Sequence, residues 1–312
     1  KWLSSTLVLL VSVLTFYGCG AGSQQSAVPR NRTFIADCSS QGDCSGQFKD
    51  YDTFNPFLLA GTTKTGWNFV YEPLYFYNAY AEGSDNIVPW IATGHEYNLD
   101  YTEVKVSIRK GVEWSDGQPW TAHDLVFTIN MLKDHAPSLS FSTDMKAWVK
   151  NATVVDDHTA QIELTASNPR FIFSYFTNNF DNGIPIMPKH IWEGKDPESF
   201  SNFDMEQGWP VVSGPYKMAI SVPEQRVWDI RPDWWATKVG FRDLPKVERL
   251  IYLPYMEESK PVQNIIANAM DSSLDLRPPN IKSIIDANPA VSTWTGKELP
   301  LGYLDWWPVC LG

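Results

Sequence analysis

Residues 106–130, VSIRKGVEWSDGQPWTAHDLVFTIN, constrain the fold more than any other stretch of this chain. Val104, Val106 and Ile108 alternate with polar neighbours, the period of a strand buried on one face. Gly111 ends that run, and Ser115-Asp116-Gly117 supplies a tight turn, where glycine accepts backbone angles that a Cβ resists. Thr121 then stands at the N-cap of a helix, with Asp124 three residues on as its capping-box partner. Leu125, Val126, Ile129 and Leu132 form the apolar stripe of that helix. Strand, glycine turn and capped helix are scaffold; on physics alone they carry no chemistry.

Elsewhere the pattern predicts strands over 32–36, 214–220, 226–230 and 247–253. A hairpin joins 152–155 to 160–164 through Asp156-Asp157-His158. Helices are expected over 67–77, interrupted at Pro73, over 170–178, and over 261–270 with Pro261 in its first turn. A proline-containing loop covers 52–57. Beyond Leu276, residues 278–287 read as helical and 299–309 as extended.

The 312 residues are 43% apolar, enough for a sizeable core and two subdomains. A net charge of −11 argues against a nucleic-acid partner, because phosphate binding needs a basic face. Residues 3–16 form an apolar run short for a bilayer span and right for a signal-peptide core, so 1–18 is expected to be a signal peptide. Cys19, after Gly18 and before a Gly/Ser/Gln-rich linker over 19–31, resembles a bacterial lipobox cysteine. Phe16 and Tyr17 replace the usual aliphatic and small residues, so lipidation of Cys19 stands beside plain cleavage nearby. Cys38 and Cys44 bracket five small or polar residues, a spacing that suits a disulfide in an oxidising compartment. The rival metal reading lacks nearby His or further Cys. Cys310 has no obvious partner, and a buried thiol is expected there.

Five landmarks then occur in a fixed order: Phe54-Asn55-Pro56-Phe57, Tyr71-Glu72-Pro73-Leu74-Tyr75, Pro188-Lys189-His190, Ser213-Gly214-Pro215-Tyr216 and Arg231-Pro232-Asp233-Trp234-Trp235. Together with the segment around Trp114-Ser115-Asp116-Gly117, they resemble the extracellular solute-binding proteins of ABC transporters, family 5, which take up peptides, nickel complexes or oligosaccharides. The resemblance implies an α/β fold of the type II periplasmic-binding-protein class (cluster C), with mixed sheets and two lobes crossed twice by the chain. On that plan, 32–80 and 205–276 form the main subdomain of lobe I, 81–204 an inserted subdomain, and 277–312 the start of a lobe II that is largely absent. It further implies an exported protein, periplasmic or on the outer face of the cytoplasmic membrane. Such a protein captures a solute by hinge closure and hands it to membrane permease subunits, without cofactor, metal or catalytic residue.

Tryptophan is the compositional outlier, with 14 in 312 residues. Its flat, rigid face stacks on sugar rings while amides and carboxylates bond the hydroxyls. Trp114, Trp120, Trp234 and Trp235 lie in scaffold motifs and are read as packing. Trp67, Asn68, Asn178, Asn179, Trp209, Tyr303, Asp305, Trp306 and Trp307 fall in loops or at crossing points, where members of the family contact their ligands. Adjacent Trp306 and Trp307 point to opposite faces of an extended segment, so one of them reaches the cleft. This set favours an oligosaccharide of the cello-oligosaccharide type. The alternatives are an oligopeptide and, in a different class, a solute-sensing receptor or a carbohydrate-binding module. An enzyme finds little support: the five His are scattered, and no HExxH, G-x-S-x-G or Walker-type loop is present. Asp156-Asp157 and Glu257-Glu258 are turn or surface charges, although two distant carboxyls acting on a sugar are invisible to sequence.

Overall fold

Thr121 caps the central helix as its spacing requires. Its side chain accepts from His123 N, and Asp124 accepts from Thr121 N at 2.8 Å, closing the capping box of α2 (Ala122–Asp134). Leu125, Ile129 and Leu132 on one face of α2 are fully buried. They pack on β6 (Val149–Asp156) and β7 (Thr159–Leu164), the hairpin turned at Asp157-His158. Burial of side chains of this size stabilises by about 1.5–3 kcal/mol each. Ahead of α2, β4 (Ala92–Tyr97) and β5 (Glu103–Ile108) complete an antiparallel sheet in the order β4-β5-β7-β6. Val104, Val106 and Ile108 face inward from β5, and α3 (Ser142–Trp148) closes the layer beside α2.

The computed structural model describes residues 28–38, 44–59, 66–79, 81, 86–178, 183–273 and 276–291. Among them, two further sheets occur. One is four-stranded, β1-β11-β10-β9, from β1 (Thr33–Asp37), β9 (Tyr216–Val222), β10 (Gln225–Ile230) and β11 (Arg249–Leu253). Its β1–β11 pair is parallel and the others antiparallel, so the sheet is mixed. The other, β3-β2-β8, joins β2 (Tyr75–Tyr77), β3 (Ile87–Pro89) and β8 (Thr177–Asn178). One continuous apolar core runs through all three sheets.

The helix expected over 67–77 is short. α1 (Trp67–Val70) ends after one turn, and Tyr75–Tyr77 is the strand β2. Pro73 lacks an N–H and biases Glu72 towards extended backbone, while the aromatic run beyond it suits a half-buried strand. Likewise α4 (Phe171–Phe176) stops two residues short, because Thr177 and Asn178 pair in parallel with Tyr75 and Phe76. Gly66, at φ +86°, precedes α1, and a Cβ there would sit 2.0 Å from the Trp228 ring. Only glycine fits both the backbone and that approach.

α8 (Pro278–Ala287), expected to open a second lobe, packs on α7 (Ser259–Ile266). Val262, Ile265, Ile281 and Ile284 form a separate apolar cluster that reaches Ile35 of β1. The stripe of α8 has α7 as its partner. Cys38 and Cys44 are joined by a disulfide, beside Phe48. Among the described residues no helix is long and apolar enough to cross a membrane.

Candidate functional site

The landmark motifs converge on a buried carboxylate. Glu72 follows α1, and its Oε1 accepts from Trp90 Nε1 at 2.8 Å. Its Oε2 accepts from Trp235 Nε1 at 2.6 Å and from Trp234 Nε1 at 3.4 Å. Burial pushes this carboxyl up to about 7, although the three indole N–H groups and the charge of Arg231 pull the other way. Glu72 N donates to Ser213 Oγ, and the Val70 carbonyl accepts from both Ser213 N and Gly214 N. Buried Arg231 donates to the carbonyls of Val212 and Gly214 at 3.1 and 2.9 Å. Three separate motifs thereby become one hydrogen-bonded body.

The other landmarks are tied in the same manner. Asp116, in the glycine turn, lies 2.6 Å from Nε2 of His190, and Ser115 exchanges hydrogen bonds with Val212. The second oxygen of Asp124 accepts from Lys189 N at 2.8 Å, which anchors α5 (Lys189–Trp192) to the start of α2. Burial raises the Asp124 carboxyl, opposed by the Thr121 and Lys189 amides. Asn55 donates to the carbonyls of Pro197 and Phe200, and Phe57 meets Trp192 edge-on. Asn55 and Asp124 are buried and bond backbone, whereas Asp116 and His190 pair at the surface.

The solute-contact candidates behave differently. Trp67 is half-buried on α1 and Asn68 beside it is exposed. Asn178 is half-buried on β8, opposite Phe76. Trp209 is half-buried, edge-on to Phe200 and 5.8 Å from Nζ of Lys195. Trp67 and Asn68 are adjacent. The 209–214 segment ends on the Val70 carbonyl at the C-terminus of α1, and β2 links α1 to Asn178. Trp67 and Trp209 both pack against the main apolar core. Asn179, Tyr303, Asp305, Trp306, Trp307 and Cys19 lie outside the described residues, as does Cys310.

Concavities lie elsewhere among the described residues. A groove of about 360 Å³ beside α2 is lined by Val126, Phe127, Lys189 and Lys195 among others, and Trp209 borders it through Lys195. A second, of about 550 Å³, opens between α7 and α8, lined by Glu257, Glu258, Arg277 and Asn280. Among the described residues no group of three His, Cys, Asp or Glu could hold a metal ion. The role of Glu72 as a shared acceptor is absent from the sequence reading, where it is one letter of a motif. Its signal was present all the same, an acid flanked by aromatic and proline residues that leave it no solvent.

Residues 86–305 match the family model described as bacterial extracellular solute-binding proteins, family 5 Middle. The chain belongs to that family. Among curated relatives of this family 5 member, the probable peptide-binding protein YejA of Agrobacterium fabrum is 30% identical over 61% of this chain and 30% of its own length. The peptidoglycan-binding protein YepA of the same organism is 28% identical over 65% of this chain and 33% of its own. A periplasmic oligopeptide-binding protein of an ABC transporter from Thermotoga maritima superposes with a TM-score of 0.65 at 27% identity, covering 85% of this chain and 45% of that one. Its mannohexaose-bound crystal structure gives a TM-score of 0.64 at 26% identity, over 86% and 46%. The chain thus spans about a third of these curated relatives and under half of the solved chain. The neighbours share the type II periplasmic-binding-protein fold, and the partial coverage agrees with a single lobe.

Proposed function

We propose that this chain supplies one wall of the solute cleft in the extracellular binding protein of an ABC importer, and that the solute is an oligomer with peptide character. What carries the choice of solute is the fate of the tryptophans. Trp114, Trp120, Trp192, Trp228, Trp234 and Trp235 are all buried in the core, which removes the compositional argument for a sugar. Relatives named for peptide and peptidoglycan binding then weigh towards a peptide backbone. Trp67, Asn68, Asn178 and Trp209 are the described positions assigned to solute contact. Closure of two lobes on the solute would be stabilised by the contacts made only in the closed form, and permease subunits would receive that form. Export, with attachment through Cys19, completes this reading.

An oligosaccharide is the second reading, favoured by the mannohexaose-bound neighbour and by the half-buried rings of Trp67 and Trp209. The test is a thermal-shift screen of the purified protein against a peptide pool, peptidoglycan fragments, and manno- and cello-hexaose. A ligand specific for the native state raises the midpoint by mass action. A shift with peptides or peptidoglycan fragments supports the first reading. A shift confined to one hexaose series replaces it with the second.

A further inference from the structure

Two guanidinium groups share one aromatic ring on the face of the molecule beyond Glu72. The guanidinium carbon of Arg109, just after β5, lies 3.8 Å from the centroid of the Phe241 ring. That of Arg242 lies 4.2 Å from the same centroid and 5.0 Å from the Trp90 ring. The two carbons are therefore at most about 8 Å apart, the sum of their distances to that centroid. The ring is itself fixed: Trp235 stacks on it at 5.7 Å and Trp90 meets it edge-on at 5.2 Å, both indoles being held by Glu72. The segments that carry the pair are pinned together by Lys238–Glu113 at 2.6 Å. They are also pinned by Gly111 (φ +80°), whose absent Cβ would lie 2.8 Å from Val239.

Charge is what makes this arrangement unusual. Arg109 donates Nε–H to the Trp90 carbonyl at 2.8 Å, and Arg242 donates from Nη1 to the Phe241 carbonyl at 2.9 Å. Each then has four N–H groups left over from its five. Neither has a carboxylate within ion-pair distance among the described residues, in a chain of net charge −11. Stacking on aromatic faces offsets part of the cost of holding two like charges together. Beyond one hydrogen bond each, the donors of Arg109 and Arg242 have no acceptor among the described residues. A carboxylate matches one guanidinium fork, whereas a tetrahedral oxyanion presents separate edges to two forks and answers two charges.

We propose that Arg109 and Arg242 form an oxyanion site on Phe241 that takes a phosphate- or sulfate-type group, apart from the solute-contact positions. Calorimetric titration of the purified chain with inorganic phosphate, at constant ionic strength, tests it. Saturable binding is expected, with sulfate competing and acetate at least ten-fold weaker. Arg242→Gln, at an exposed position, should weaken phosphate at least ten-fold while leaving the unliganded unfolding midpoint unchanged. Arg242→Lys should lie between the two, since it keeps the charge and loses the fork. Arg109→Gln provides the second variant, with the same ten-fold loss. Absence of a saturable phosphate response, or equal affinity in wild type and Arg242→Gln, overturns the proposal.

Discussion

The indoles around Glu72 and those at Trp67 and Trp209 are the same residue put to opposite uses. Trp234 and Trp235 are buried and donate to a carboxylate; Trp90, half-buried, donates to the same one and braces Phe241. Trp67 and Trp209 are half-buried, and their indole N–H groups have no acceptor among the described residues. Burial, not donor pairing, marks the scaffold set, since Trp120, Trp192 and Trp228 are buried without an indole acceptor among the described residues, whereas a half-buried ring keeps a face that a ligand can cover. The difference separates scaffold tryptophans from candidates for recognition, which a count of 14 cannot do.

Glu72→Ala should break the first region most severely. It leaves three indole donors without their acceptor and opens a cavity, for a loss of about 4 kcal/mol in denaturant unfolding. A loss below about 1 kcal/mol would show that the carboxylate is incidental there. Next in size is a pH effect. The Glu72 carboxyl binds its proton more tightly in the native state, at about 7 against 4.5 for an ordinary glutamate. Its contribution is therefore complete below pH 4.5 and is lost as the pH rises through 7. Stability should fall between pH 5 and pH 8 by at most roughly 3 kcal/mol from this group. Glu72→Gln should flatten that slope, and an unchanged slope in the variant would assign it to other groups.

Cys38→Ser lies outside both regions and serves as a control on global stability. Opening so short a loop should cost about 2 kcal/mol under oxidising conditions. Wild type and variant should then coincide in reducing buffer. The smallest effect concerns the rim. Trp209→Ala and Trp67→Ala should each weaken solute binding about ten-fold, close to 1.4 kcal/mol. Trp234→Phe should lower stability by about 1 kcal/mol and leave solute affinity unchanged. Equal affinity losses in all three would erase the distinction drawn above.

Much of the fold is legible in the sequence because its signals are local. The alternation at Val104, Val106 and Ile108, the capping box at Thr121 and Asp124, and the turn at Asp156-Asp157-His158 each occur where periodicity and cap chemistry place them. The errors fall where distant pairing overrides a local pattern. Tyr75–Tyr77 joins a sheet because Thr177 and Ile87 are there to receive it, and Thr177 and Asn178 leave the expected helix for the same pairing. Of the candidate site, sequence separated Trp114, Trp120, Trp234 and Trp235 as packing, and burial agrees. Trp192 and Trp228 joined them only once the core was seen.

The sequence by itself determined the family, through short motifs in a fixed order, and the strand–turn–helix core and capped start of α2, which rest on residues a few positions apart. Only the tertiary structure decided what Glu72 and Arg242 face. Glu72 meets indoles 18, 162 and 163 residues away, and Arg242 meets a ring shared with Arg109. Desolvation and charge pairing depend on which groups the packed chain brings together, and no local pattern records that.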